Sequence, residues 1–133
     1  MTPTEALQAW LALEHEAVWL LPVIGARFDG LLDVATTSYD AHRVVRDDLV
    51  GRLRQAGISP VPTRLSYVMG RLDTTTQARG AVRKVEVRIS AACLALARVG
   101  EGDTRAYGLK GLTRAALAEL TWGAKPHAFP GLP

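Results

Sequence analysis

The stretch Gly57–Asp73, marked by Pro60 and Pro62, constrains the fold of this chain more than any other feature. On either side of it, apolar residues recur with the period of an α-helix, and no segment shows the alternation of a strand. Two helical segments precede it and two follow it. Within each pair the connection is short, Phe28–Leu31 in the first and Gly100–Gly102 in the second. Short connections make antiparallel neighbours, whereas a proline-marked segment this long runs the length of a bundle. The pattern predicts an all-α four-helix bundle with a long crossover between helices 2 and 3, leaving those two helices parallel.

Local signals place the helices at about residues 3–27, 33–56, 74–99 and 103–124, within a single domain of 133 residues. Thr2 and Glu5 have the spacing of a capping box, with Pro3 at the first helical position, where its missing N–H costs nothing. Pro22 falls inside the first helix, where it should kink it or leave a carbonyl unpaired. Gly57 ends the second helix, Asp73 is the expected N-cap of the third and Gly100 its end. Gly108 and Gly111 lower the helix propensity of the fourth segment, or let another helix approach closely.

Composition excludes several classes. No apolar run reaches the roughly 18 residues of a membrane span, and the first residues carry no basic leader, so a cytoplasmic chain is expected. Cys93 is the only cysteine, which rules out an intrachain disulfide and a thiolate metal cluster. The net charge is +3, from 16 Lys and Arg against 13 Asp and Glu. The basic stretch Arg79, Arg83, Lys84 and Arg88 is interrupted by Glu86. It reads as a solvated helix side, so no nucleic-acid partner is expected.

The chemistry lies in polar residues that fall on apolar faces. At roughly 100° per residue, Leu7, Trp10, Leu11, Ala17, Val18 and Leu21 share one side of the first helix, and Glu14 lies among them. Glu5, Gln8, His15 and Glu16 share the opposite side. Trp19 also projects there, as though under the crossover or in a subunit contact. The second helix aligns Ala35, Tyr39, His42, Leu49 and Leu53, with Arg46 one turn after His42. The third aligns Ala78, Val82, Val85, Ile89, Ala92, Cys93 and Leu96, with Glu86 at the shoulder. The fourth offers Leu109, Leu112, Thr113, Ala116 and Leu120 to the core, with Glu119 at its edge and His127 in the tail.

An unpaired buried carboxylate is too costly to leave alone. The expected centre is therefore a cluster of Glu14, Tyr39, His42, Arg46 and Glu86. Two carboxylates and an imidazole suit iron, manganese or zinc, which makes Glu14, His42 and Glu86 candidate ligands of a single ion. Arg46 argues the other way, because its fixed charge repels a cation and pairs with carboxylates. Cys93 reads as a small buried hydrophobe, and no Ser/His/Asp or Cys/His arrangement appears.

Ala12–Trp19 (Ala-Leu-Glu-His-Glu-Ala-Val-Trp), Ser38–Asp47 (Ser-Tyr-Asp-Ala-His-Arg-Val-Val-Arg-Asp), Tyr67, Glu86 and the closing Phe129–Leu132 (Phe-Pro-Gly-Leu) together resemble a bacterial, mainly actinobacterial, ferritin-like family of unknown function. The Ala-His-Arg-x-x-Arg-Asp segment is the most specific part, and the resemblance covers nearly the whole chain. It implies the ferritin-like superfamily, whose metal sites take one Glu from each of two helices and a Glu-x-x-His from each of the other two. Glu14 and Glu86 match the single glutamates. Tyr39-x-x-His42 matches the second-helix motif without its Glu, and Thr113-x-x-Ala116 falls where the fourth-helix motif would be.

The function expected on this basis is a non-catalytic ferritin-like protein with a degenerate metal site, a structural Glu/His/Arg cluster and no cofactor. It is expected to act as a homodimer, with Trp19 or the glycine-rich start of the fourth helix as contact points. The alternatives are a protein holding one iron, manganese or zinc ion, and a bundle that binds a small ligand near Tyr39 and Tyr67.

Overall fold

A computed structural model describes residues 1–133. Four α-helices and no strand make up the chain: α1 (Pro3–Arg27), α2 (Leu32–Gln55), α3 (Thr75–Val99) and α4 (Gly102–Thr121). A 3-10 turn, Asp29–Leu31, joins α1 to α2. Thr2 and Glu5 cap α1 reciprocally, Glu5 N–H donating to Thr2 Oγ1 and Thr2 N–H to Glu5 Oε2, an arrangement worth about 1 kcal/mol. The helix continues through Pro22, which is exposed.

The caps of α3 and α4 differ from expectation. Thr74, not Asp73, caps α3, in a capping box with Gln77. Asp73 is drawn off by Arg71, whose Nε donates to its carboxylate at 3.0 Å. Helix α4 ends at Thr121 rather than Ala124, because Trp122 turns inward and Gly123 takes a φ of +96°. The buried Trp122 is held at both ends: its carbonyl accepts from Arg83 Nη1 at 3.0 Å, and its indole N–H faces Ser38 Oγ at 3.3 Å.

Helix α1 packs on α2 and on α3, and α3 packs on α4, whereas α2 and α4 barely touch. Side-chain pairings give the directions. Along α1 and α2, Glu14 meets His42 and Gly25 approaches Ala35; along α1 and α3, Trp10 lies with Cys93 at Gly111, and Trp19 and Leu20 share a hollow with Ala81 and Lys84. Helix α1 is therefore antiparallel to α2, and α2 and α3 run parallel on opposite corners. The crossover is strapped to α1 by residues of its polar side. Gln8 donates to the Ser59 carbonyl and accepts from Val61 N–H, and the His15 ring meets the Val61 carbonyl at 2.9 Å. Trp19 packs against Tyr67 of the crossover, with ring centroids 5.6 Å apart.

The inner face of α4 is rotated by one residue from its expected setting. Gly108, Gly111, Ala115 and Glu119 are buried, while Leu109 is 49 % exposed and Leu120 42 %. Thr113 is exposed and Ala116 only half-buried. Hydrophobicity favours the leucines, but contact favours the glycines. A Cβ on Gly108 would sit 2.8 Å from the Ala97 nitrogen and 2.9 Å from the Cys93 carbonyl. On Gly111 it would sit 2.4 Å from the Trp10 ring. Helix α4 thus lies on α3 at a distance only glycine allows.

Gly108→Ala should therefore destabilise the protein by about 1–3 kcal/mol, the usual cost of overpacking, because the obstructing atoms are backbone. Gly102→Ala, where nothing lies within 4 Å but φ is +51°, should cost only about 1 kcal/mol of backbone strain. Urea denaturation of both variants measures the difference.

Candidate functional site

Glu14, His42 and Glu86 come from three helices and meet in the interior. Glu14 is 2 % exposed, Glu86 1 % and His42 8 %. His42 Nδ1 lies 2.5 Å from Glu14 Oε2, and its Nε2 lies 2.5 Å from Glu86 Oε1. The second oxygen of Glu14 accepts the Trp10 indole N–H at 2.9 Å. The Trp10 ring is in turn held between Tyr107 and Gly111 of α4.

An imidazole flanked by two carboxylates satisfies both only as the imidazolium, which donates from each nitrogen. Burial alone would push the His42 pKa down. The hydrogen bonds and negative charges of Glu14 and Glu86 outweigh burial and raise it to about 10. Glu86 Oε2 is buried and has no hydrogen-bond partner.

Two of the five expected cluster members lie elsewhere. Arg46 pairs with its neighbour Asp47, Nη2 to Oδ1 at 2.8 Å, at the protein surface. Its long stem carries the guanidinium out of the shoulder of α2 into water, and the imidazolium already supplies the cation the carboxylates need. Tyr39 is half-buried on the other shoulder, under the Arg43 guanidinium, in a hollow with Leu21, Pro22 and Gly25. Tyr67 lies in a different hollow, beside Trp19 and Val85, so Tyr39 and Tyr67 share no binding space.

Two features go beyond the sequence reading, which set Glu119 at the edge of the core and His127 in the tail. Glu119 is buried and accepts from Ser90 Oγ at 2.7 Å, with His127 Nε2 3.8 Å from its other oxygen. Ser90 touches no imidazole, so this trio is no hydrolytic arrangement. Its signal in the sequence was the stripe Gly108, Gly111, Ala115, Glu119 at helical spacing. The second feature is a cavity of about 70 Å³ over the triad, between α2 and α4. Ser38, Ala41 and Val45 of α2 and Gly111, Arg114, Ala115 and Ala118 of α4 form its walls, and Trp10, Glu14, His42, Glu86 and Ile89 its floor.

The donor set does not fit a metal ion in this arrangement. Both imidazole nitrogens face carboxylate oxygens at 2.5 Å, and an imidazolium has no lone pair to offer. A metal between such atoms needs bonds of about 2.0–2.2 Å to each, and the gap is too short for that at ordinary bond angles. No group of three or more His, Cys, Asp or Glu side chains is arranged to hold one. Cys93 is buried, and burial pushes its thiol pKa well up, which keeps it protonated and inert. No helix is long and apolar enough to cross a membrane.

Residues 6–133 match the family described as a domain of unknown function, DUF4439. The chain belongs to that family. Among solved structures it is similar to a conserved hypothetical protein, rv2844, from Mycobacterium tuberculosis. The identity is 22 %, the match covers 95 % of this chain and 94 % of that one, and the TM-score is 0.84. At this identity the match speaks for a shared fold. No curated protein matches the sequence.

The raised His42 pKa has a defined pH signature. The unfolded imidazole titrates near its ordinary value of 6.5, the folded one near 10. The stabilisation is fully present below pH 6.5 and is lost as pH rises toward 10. Stability measured by urea unfolding should fall by several kcal/mol across that window, and His42→Gln should flatten the His42 part of the slope. An unchanged slope in His42→Gln would mean that the imidazolium is not there.

Proposed function

We propose that this chain is a non-catalytic ferritin-like protein in which a Glu14–His42–Glu86 ion-pair clamp stands where the superfamily holds its dinuclear metal centre. The short–long–short connections, the parallel α2 and α3 and the central level shared by the three residues support the superfamily assignment. The observation that carries the reading is that the two nitrogens of His42 face carboxylates from two other helices. Both are engaged in holding helices.

Oxidative chemistry at a dinuclear centre needs two ions bridged by carboxylates. The positions that would complete such a set here are Tyr39, turned to another hollow, and Thr113 and Ala116, which are exposed and half-buried. None carries a carboxylate or imidazole. The clamp acts instead as a registry device: a buried charge left unpaired is costly, so the helices settle where all three side chains meet.

A homodimer is part of this proposal. Trp19, Gly108 and Gly111 are occupied within the chain, and the contact moves to the outer face of α4. Leu109, Leu117 and Leu120 are exposed there.

Protein purified without chelator should carry well under one iron, manganese or zinc per chain by elemental analysis. EDTA should leave its melting temperature unchanged, and His42→Ala should cost about 3–5 kcal/mol with or without EDTA. A stoichiometric metal that disappears in His42→Ala would overturn the clamp in favour of a single-ion centre. Light scattering in solution should give twice the chain mass, and Leu117→Glu should halve it. A monomeric wild type would refute the dimer and leave the clamp standing.

A further inference from the structure

The tail that follows α4 folds back over the seam between α3 and α4. A Cβ on Gly131 would lie 2.8 Å from the Ser90 carbonyl oxygen and 3.3 Å from Leu112. Between this tail and the outer face of α4 is an open hollow of about 250 Å³. Thr113, Ala116, Leu117 and Leu120 form one wall, and Pro126 and Pro130 the other. Glu119 lies in the lining but is 4 % exposed and accepts from Ser90. Five of the eleven exposed large hydrophobic residues lie on α4 and the tail: Leu109, Leu117, Leu120, Phe129 and Leu132. An apolar patch concentrated in this way marks a contact surface.

The order of the residues selects a second copy of this chain as the partner. In a two-fold contact, a residue that meets another must be met by it in return. Leu109 and Leu120 are symmetric about the point between Arg114 and Ala115, as are Leu112 and Leu117, with the small pair Thr113 and Ala116 inside them. Leu109, Thr113, Ala116 and Leu120 recur at the spacing of one helix face. Two such faces laid antiparallel match leucine to leucine at both ends and small residue to small residue at the crossing.

The charges at the two ends fix the direction. Glu101 and Asp103, at the start of α4, are exposed and form no ion pair within the chain. Arg105, which follows them, is turned back onto the Ala97 and Gly100 carbonyls. Lys125, at the edge of the hollow, is exposed and equally unpaired. Antiparallel packing sets the acidic start of one α4 beside Lys125 of the other, whereas parallel packing sets like charge against like.

We propose that the protein self-associates through antiparallel α4 helices, with the two-fold between Arg114 and Ala115 and Leu109 of each copy seated in the hollow of the other. The inference rests on the homodimer reading and adds to it a direction, a register and a socket. Leu109 falls opposite Leu120, which lines the hollow. The contact therefore buries both leucines and closes the hollow over Glu119 in one step.

Cysteine cross-linking tests the register, because the native Cys93 is buried and stays out of the reaction. A disulfide needs Cα atoms within about 7 Å. Antiparallel packing brings position 109 of one copy to position 120 of the other, and keeps like positions about 16 Å apart along the helix. The double variant Leu109→Cys/Leu120→Cys, oxidised with diamide, should run as a covalent dimer on a non-reducing gel. Each single variant should stay at single-chain mass on the same gel. Cross-links in the single variants would overturn the antiparallel direction. A doubled mass in solution with no cross-link in the double variant would overturn the register and leave the homodimer standing. A wild type of single-chain mass in solution would overturn both.

Discussion

A single imidazolium reaches across the diagonal of the bundle. Helices α2 and α3 sit at opposite corners and do not pack on one another, yet His42 of one faces Glu86 of the other. Helix α1, which touches both, closes the arrangement through Glu14. One cation thereby fixes the rotation and height of three helices at once. Hydrophobic packing is non-directional and tolerates sliding or rotation of a helix. A buried carboxylate displaced from its partner does not. The apolar residues of α1, α2 and α3 supply the driving force for collapse, and the triad selects one register among the many that collapse would allow.

The fourth helix is held by other means. It contributes no atom to the hydrogen bonds of the triad and is tied to the bundle by the buried Ser90–Glu119 hydrogen bond and by shape: Gly108 against the backbone of α3, Gly111 against the Trp10 ring, and Trp122 sealed into the core. Trp10 links the two systems, since its indole N–H holds Glu14 while its ring rests against Gly111. A change at Gly111 is thus felt at the carboxylate through one rigid side chain. That connection lets α4 influence the charge cluster without supplying a charged residue to it.

How much of this was legible in the sequence follows from which force positions each residue. The faces of α1, α2 and α3 are set by apolar periodicity, and Glu14, His42 and Glu86 could be placed inside because they interrupt it. Arg46 and Tyr39 share that periodicity, but long side chains on a shoulder follow their polar ends outward, and helical spacing does not record that choice. Helix α4 defeats the hydrophobic rule because close backbone approach needs residues without bulk, so Leu109 and Leu120 are left outside while Gly108 and Glu119 go in. Gln8 and His15 looked like solvent-facing residues. Their partners are backbone atoms of the crossover, whose path no local pattern specifies.

The slot over the triad follows from the same small residues. A helix with glycine at two facing positions can settle deeply on one neighbour, and α4 settles on α3 and Trp10. Having leaned that way, it stands off from α2, and the alanines that line the gap, Ala41, Ala115 and Ala118, are too short to fill it. Larger side chains there would give an ordinary closed bundle with the triad sealed beneath.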